Sequence, residues 1–482
     1  MSFVNGVLIP NQVIILVGEE RKTLALGIIV GISAILSLLA GPMSGYLSDT
    51  VFHGERFPLI FLGTVLWSIS VVARSPMAIQ THSSALLWLL LVCYTLVTTA
   101  GKIVYAAAVA PYTAMIADLF PRGQYGVVSS VLGLCGIIGA IVGIAVFGYL
   151  YNSISVFVNC LLVSIFPCFA LIVLFIVRER PRHEVQIPIV QPIPEGGDIS
   201  DENRNENRDD DDGDDKQQQE VEHQQLIQQQ QQGTAPKSIL SWHIITSIIE
   251  PFSSRAFTLV FIGTSIANVA LWGLQGFALY YIRDAIHPRY ELFGAPLSFI
   301  NSPERAQAAF ALACFVTGIF SSIIAGVVLD SCIDKRKYVV IFGCIASSLF
   351  MIANTVSSSF SVFMLTAPIF GIGMGTIVSS TLSLASDTLP NMNNAAKDLA
   401  VWGVARNAPV IIASPLFGVI ISLGNLLTDN HLINSSAPFG YKIMLFICAV
   451  LTFIAAIVFA LVPSTHPPSS PTKLVFDGTT DE

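Results

Sequence analysis

The sequence predicts an all-α polytopic membrane protein: twelve transmembrane helices arranged as two pseudo-symmetric six-helix lobes. Three observations predict it. Charged residues make up 12% of the chain and hydrophobic ones 53%, about half the charge that a soluble domain carries, and mean hydropathy is +0.69. Apolar runs of roughly 18 or more residues recur from end to end, each long enough to cross a hydrocarbon core as a helix. Short polar motifs then repeat at matching boundaries in the two halves. Strands of a membrane barrel would alternate apolar with polar residues, and these runs do not.

Taken in order, the spans fall near 1–17, 24–48, 58–74, 85–117, 126–150 and 155–177, then near 256–283, 307–329, 338–356, 360–386, 398–424 and 440–463. The first is short, with barely seventeen residues before Glu19. At about 1.5 Å per residue it falls below a ~30 Å core. The expected boundaries are a first lobe over 1–180, a linker over 181–237, a second lobe over 238–463 and a tail over 464–482. The linker, rich in Asp, Asn, Gln and Pro, lacks the apolar surface needed to fold and is expected to be disordered. Its "DDDD" run reads as a solvated acidic tract, and the net charge of −8 says little about partners. Residues 238–252 are short and amphipathic, and suit either the membrane surface or an extension of the seventh span.

The halves echo one another. "GYLSD" (Gly45 to Asp49) follows the second span and "GVVLD" (Gly326 to Asp330) the eighth; "DLFP" (Asp118 to Pro121) ends the fourth and "DTLP" (Asp387 to Pro390) the tenth. Two coincidences in register argue for an internal duplication, an architecture common among secondary transporters. An even span number puts both termini and the linker on one side. Arg56, Arg122, Arg178, Arg180, Arg182, Lys237, Lys335, Arg336, Lys337, Lys397 and Lys473 lie there, against Arg21, Lys22, Arg74, Arg283, Arg289 and Arg305 opposite. That bias places the linker side in the cytoplasm. The sequon Asn434-Ser435-Ser436 falls on the other side, in agreement.

On these residues the chain resembles the major facilitator superfamily over everything but linker and tail. The signature loop of that family, a Gly-x-x-x-Asp followed by Gly-x-Arg, is matched by Gly45, Asp49, Gly54 and Arg56, and its second copy by Gly326 and Asp330 with Lys335 to Lys337 behind. The resemblance implies conformational gating by Gly45, Asp49, Arg56, Asp118, Gly326, Asp330 and Asp387. Physically, a glycine lets helices approach, and an aspartate at a helix end pairs with a cation and locks one access state. "APYTAMIADLFPRGQYG", "ALYYIRDAI" and "AAKDLAVWGVARNAPV" are similar to the glycoside–pentoside–hexuronide and sucrose-type carriers, which implies a sugar or glycoside. Carboxylates that ion-coupled relatives often place within early spans are missing here, since Asp49, Asp118, Asp330, Asp387 and Asp398 sit at span ends; the coupling ion stays open.

Polar residues inside spans are candidates for the solute path. Lys102 lies roughly 24 Å from each end of the long fourth span, and Thr98, Lys102, Tyr105 and Tyr112 share a helix face. Spans one, four, seven and ten line the central path in the superfamily, which implies that this face does. In span seven Asn268, Trp272 and Gln275 form a second stripe. Amides bond hydroxyls and an indole covers a sugar's apolar face, whereas the plainer alternative is hydrogen bonding to neighbouring helices. Arg406 lies about 12 Å into span eleven, one turn after Trp402. It either bonds substrate oxygens, or clamps an anion together with Lys102, or pairs with a carboxylate or carbonyl across the lobes. Gly139-xxx-Gly143 and Gly371-xxx-Gly375 read as close-packing sites, and Pro111, Pro368 and Pro409 as bends.

No convergent nucleophile, acid–base pair or Cys/His cluster suggests an enzyme, a metal or another cofactor. None of the eight histidines lies within a span, and the cysteines read as small buried hydrophobes. Expected partners are the lipid bilayer and a small-molecule substrate, with no nucleic acid and a monomeric state. The function expected is transport of a small polar solute by alternating access, a sugar or glycoside first. The alternatives are a small organic anion held by Lys102 and Arg406, or a sensor or scaffold of transporter fold.

Overall fold

The computed structural model describes residues 4–52, 56–79, 83–119, 135–136, 138–176, 249–286, 290–331, 336–389, 395–429 and 438–463. Within them the first lobe consists of α1 (Val4–Val17), α2 (Lys22–Thr50), α3 (Phe57–Arg74), α4 (Ser84–Leu119), α5 (Ile138–Ser153) and α6 (Val156–Ile176). The second consists of α7 (Arg255–Tyr281), α8 (Pro303–Ser331), α9 (Arg336–Val356), α10 (Phe360–Asp387), α11 (in two pieces, Ala395–Asn407 and Pro409–Asp429) and α12 (Phe439–Ala460). Eight helices are long and apolar enough to cross a membrane, and four shorter apolar ones are α1, the first part of α2, α5 and most of α6. Each expected span has a helix, with residues 126–134 of the fifth outside the described ones. The linker, the segment 238–248, the sequon at Asn434 and the tail lie outside the described residues.

Helix packing repeats between the halves. In the first, α2 lies on α4, α3 on α4 and α3 on α6; in the second, α8 lies on α10, α9 on α10 and α9 on α12. The lobes meet through α2 against α11 and α5 against α8, again an equivalent pair. This repetition is what a pseudo-twofold axis between duplicated lobes produces.

Small residues make the closest approaches, because van der Waals contact drives helix association in lipid. A Cβ on Gly371 would collide with the Cys314 carbonyl of α8, and one on Gly375 with that of Gly318, while Gly373 sits against the Gly343 carbonyl of α9. The pair in α10 thus packs as expected. Gly139 does not: no described atom lies within 4 Å of where its Cβ would stand, and the same holds for Gly326. Among the described residues, neither brings helices together. Phe310, Phe350, Phe363 and Phe370 stack between α8, α9 and α10, with Phe310 and Phe363 centroids 4.3 Å apart. Cys160, Cys314, Cys344 and Cys448 are buried as expected, whereas Cys135 and Cys168 are exposed.

The prolines act in two ways. Pro111 and Pro368 lie inside continuous α4 and α10. Pro409 instead divides α11, because it lacks an N–H and its ring displaces the preceding turn. The α7–α8 connection closes in a two-residue hairpin, Glu291–Leu292 against Ala295–Pro296. Its turn residues Phe293 (φ 53°) and Gly294 (φ 82°) are both left-handed, the geometry that a tight hairpin of this twist requires.

Candidate functional site

Three places collect the polar side chains. The first is the end of the bundle away from the α6–α7 linker. There Lys22, at the start of α2 and only 4% exposed, pairs with Glu19 and reaches across the lobes to Asp284 at 2.6 Å. Tyr441 donates its hydroxyl to the other oxygen of Asp284 (2.5 Å), and the Lys22 ammonium lies over the Tyr280 ring. Tyr280 donates to the Pro10 carbonyl at 2.9 Å, Gln307 to the Gly6 carbonyl at 3.1 Å and Asn152 to Glu304 at 2.9 Å. Burial, with the Glu304 charge nearby, pushes the Tyr290 phenol above its ordinary range. Beneath these pairs, Gly27 of α2 meets the Ser414 carbonyl of α11, and Gly31 meets Pro415. A buried cation held by a carboxylate from the opposite lobe is costly to separate.

The linker end is organised differently. Nη1 of Arg336, at the start of α9, donates to both carboxylate oxygens of Asp387 at the end of α10, 2.7 Å to each. Arg56 is buried and donates to Ser48 at 2.9 Å, tying the start of α3 to α2. The expected partnership of a helix-end aspartate with a cation holds for Asp387, but inside one lobe, so it fixes α9 on α10 and spans no gap between lobes. The side chains of Gly45, Asp49, Asp118 and Asp330 lie outside the described ones.

The third place is the middle. Arg406 ends the first piece of α11, and its guanidinium is exposed, with no hydrogen bond or ion pair among the described residues. The Tyr105 phenol of α4, from the other lobe, is within its electrostatic range. Tyr105 itself is 37% exposed and leans on Trp67, ring centroids 6.1 Å apart. Lys102, one turn before it, is half-buried in a small pocket between α1, α3 and α4 with Asn5, Trp67, Arg74, Thr98 and Gly101. Lys102 thus sits in a pocket within the first lobe and Arg406 is exposed on the second, and the two do not share one spot.

The stripe on α7 is largely committed to helix contacts. The Trp272 indole donates to the Arg406 carbonyl at 3.1 Å, and Asn268 to the Thr264 carbonyl of its own helix at 2.8 Å; Gln275 reaches the Met374 sulfur at 3.7 Å. The Trp272 bond has a local cause, since Pro409 disrupts the ladder that would otherwise use carbonyls at this turn, and an indole N–H satisfies one of them. Trp402 is corrected outright. It is buried, 5% exposed, with its indole N–H on Thr264 Oγ1 at 3.4 Å, so it packs α11 on α7 and presents no face to a solute. Sequence reasoning missed Arg74 and Lys22, which read as loop charges at span ends. Arg74 is 3% exposed and donates Nε–H to the Ser70 carbonyl at 3.2 Å, with Tyr94 and Cys160 beside it. The signal available was its place as the last residue of an apolar run. Among the described residues, no group of three or more His, Cys, Asp or Glu could hold a metal.

The arrangement has known counterparts. The structure is similar to the nucleoside transporter NupG (TM-score 0.59, 10% identity, 96% of each chain). It is also similar to a D-xylose–proton symporter (0.59, 15%, covering 96% of this chain and 97% of that one). A third counterpart is a bacterial homologue of the human lysosomal transporter Spinster (0.58, 14%, 96% and 95%). At such identities the likeness shows the fold alone. Among curated proteins no sequence matches the chain. The family model described as Major Facilitator Superfamily matches residues 1–287 and again 260–480. With twelve helices in two repeated lobes and a polar interior between them, the chain belongs to the Major Facilitator Superfamily.

Proposed function

We propose that the chain moves a small organic anion across its membrane by alternating access, the linker end and both termini lying in the cytoplasm and the far end facing away from it. Transport as such follows from the family; the solute and the orientation are our reading. The observation that carries it is the pair of unneutralised cations, Lys102 in one lobe and Arg406 in the other, with no carboxylate beside them among the described residues. A cation within a carrier with no counter-charge beside it favours a negatively charged visitor. A neutral sugar suits free amides and an open aromatic face, whereas Trp272 gives its one donor to the protein and Asn268 and Gln275 each give one of two. The orientation is supported by the basic bias of the linker side, which grows once Arg74 is counted as buried in its lobe.

The state described is closed at the far end, where the Lys22–Asp284 pair joins the lobes. In this reading solute enters or leaves toward the cytoplasm, and opening the other way requires that pair to part. Flux of a radiolabelled dicarboxylate and of glucose into proteoliposomes tests the reading. We expect saturable dicarboxylate uptake that falls at least about tenfold in Arg406→Ala, the cost of one charge-assisted contact. Uptake of glucose alone would move the assignment to a sugar carrier, and uptake of neither would favour a non-transporting role.

A further inference from the structure

The connection between α7 and α8 carries a feature that a solute path does not call for. It joins two spans at the far end of the bundle, between Ile286 and Pro303, and turns back through the hairpin Glu291–Leu292 against Ala295–Pro296. At its tip stands Phe293, 77% exposed and at φ 53°. A left-handed turn position favours Asn, Asp or Gly, and a bulky side chain there is an outlier. Being exposed, the ring gains little from the protein to offset that conformation. Phe299, 54% exposed, lies on the same connection.

The tip is held firmly all the same. The Phe293 N–H donates to Ser361 Oγ at 3.0 Å, and Ser361 donates in turn to the Glu291 carbonyl at 2.9 Å. Leu297 N–H donates to the Tyr290 carbonyl at 3.2 Å, and the Tyr290 ring meets Phe360 edge-on with centroids 5.4 Å apart. The hairpin is thus fixed to the first turn of α10.

Where that turn lies decides what the tip meets. The lobes are joined at the far end by Lys22 and Asp284, so an apolar side chain exposed just below that end faces out of the bundle. Leu365, one turn below Ser361 on the same helix face, is such a residue. On α9, which packs on α10, Leu349, Ile352 and Val356 form an exposed stripe that runs to the last residue of the helix. This surface is where acyl chains lie, and the hairpin continues it past the helix ends, at the depth of the headgroups. Glu291 is the only charged residue between Tyr290 and Ser302, so no cation there awaits a phosphate and any hold on the bilayer is apolar.

We propose that Phe293 and Phe299 insert into the leaflet at the far end, which makes the α7–α8 hairpin an interfacial anchor for the second lobe. Taking the Phe293 ring out of water offsets the strained turn, and the bonds to Ser361 pass the hold to α10. The anchor is independent of the solute and of the direction of transport.

The test uses the full chain in phosphatidylcholine nanodiscs doped with a phosphatidylcholine that carries a diazirine near the headgroup end of one acyl chain. After irradiation, lipid adducts are mapped by mass spectrometry. They are expected on the peptide holding Tyr290–Ser302 and on the α9 peptide holding Leu349–Val356, which serves as reference. Asparagine suits a left-handed turn, so Phe293→Asn should keep the hairpin folded. Its hairpin adducts should nevertheless fall about fivefold or more against the reference, through loss of one ring from the apolar phase. Native hairpin adducts that are absent while α9 is labelled, or a yield unchanged in Phe293→Asn, overturn the anchor and put the tip in water or against another protein. Phe293→Trp decides by a second route, read as the difference from the native chain with its five tryptophans. The added emission should be quenched by lipid brominated near the headgroup and spared by aqueous iodide, and the reverse overturns the proposal. Glu20→Trp, in the exposed α1–α2 turn, calibrates the iodide response.

Discussion

The two ends of this bundle hold their charges in opposite ways. At the far end Lys22 and Asp284, 262 residues apart, join one lobe to the other. At the linker end the described pair, Arg336 with Asp387, ties α9 to α10 inside one lobe. Both are short, low-exposure ion pairs, yet only the first must break for the lobes to separate. A pair within a rigid lobe is carried along unchanged when the lobe rocks, so it stabilises the moving part without opposing the motion. A pair between lobes contributes to one conformation only, and therefore biases the equilibrium between access states.

That contrast can be broken, most strongly at Asp284. Asp284→Asn leaves a buried ammonium with only the exposed Glu19 as carboxylate partner, a loss of about 2 kcal/mol. Hydrogen exchange at the ends of α1 and α7 should then rise by roughly thirtyfold; unchanged protection there would show that the pair is not what holds the far end. Gly27→Val comes next. Its side chain would stand where the Ser414 carbonyl is, with about 2 kcal/mol or somewhat less of overpacking. Spin labels on Leu24 and Val419 should move apart, and a distance distribution identical to the native one speaks against the α2–α11 seam. Asp387→Asn sharpens the comparison from the other side. With both partners about one-fifth exposed, we expect a cost of about 1 kcal/mol, seen as a lower melting temperature with no change in distance between the lobes. A shift in that distance would mean the pair also acts across them. The smallest effect is at Trp272→Phe, which removes one hydrogen bond to the Arg406 carbonyl, about 1 kcal/mol or less. Faster exchange confined to the turn before Pro409 is the expected readout, and exchange spreading along all of α11 would contradict a local role.

Much of the fold could be read from residues alone. Each span announced itself by length and hydropathy, and Pro409 by its missing donor. The duplication showed in paired motifs whose registers the helix contacts repeat. The site was less legible. Lys102 and Arg406 stood out because a cation in an apolar run is conspicuous; the first lies in a pocket within its lobe and the second is exposed. Trp402 was misplaced because a helix of this kind shows the same spacing whichever side turns to its neighbour. Arg74 was overlooked because a residue at a span end looks like a loop charge unless the helix tilts it inward. Gly139 and Gly326 have the residue type for close packing without a partner among the described residues.

The chain's own order of residues determined the number, length and order of the helices and the likeness of the halves, since lipid demands that each span satisfy its own backbone and carry apolar side chains. Only the tertiary structure decided which polar groups meet: Lys22 with Asp284, Arg74 with Lys102, Trp272 with the carbonyl before Pro409. The reason is that helix rotation and tilt follow from packing against neighbours far away in sequence, and no local pattern encodes them.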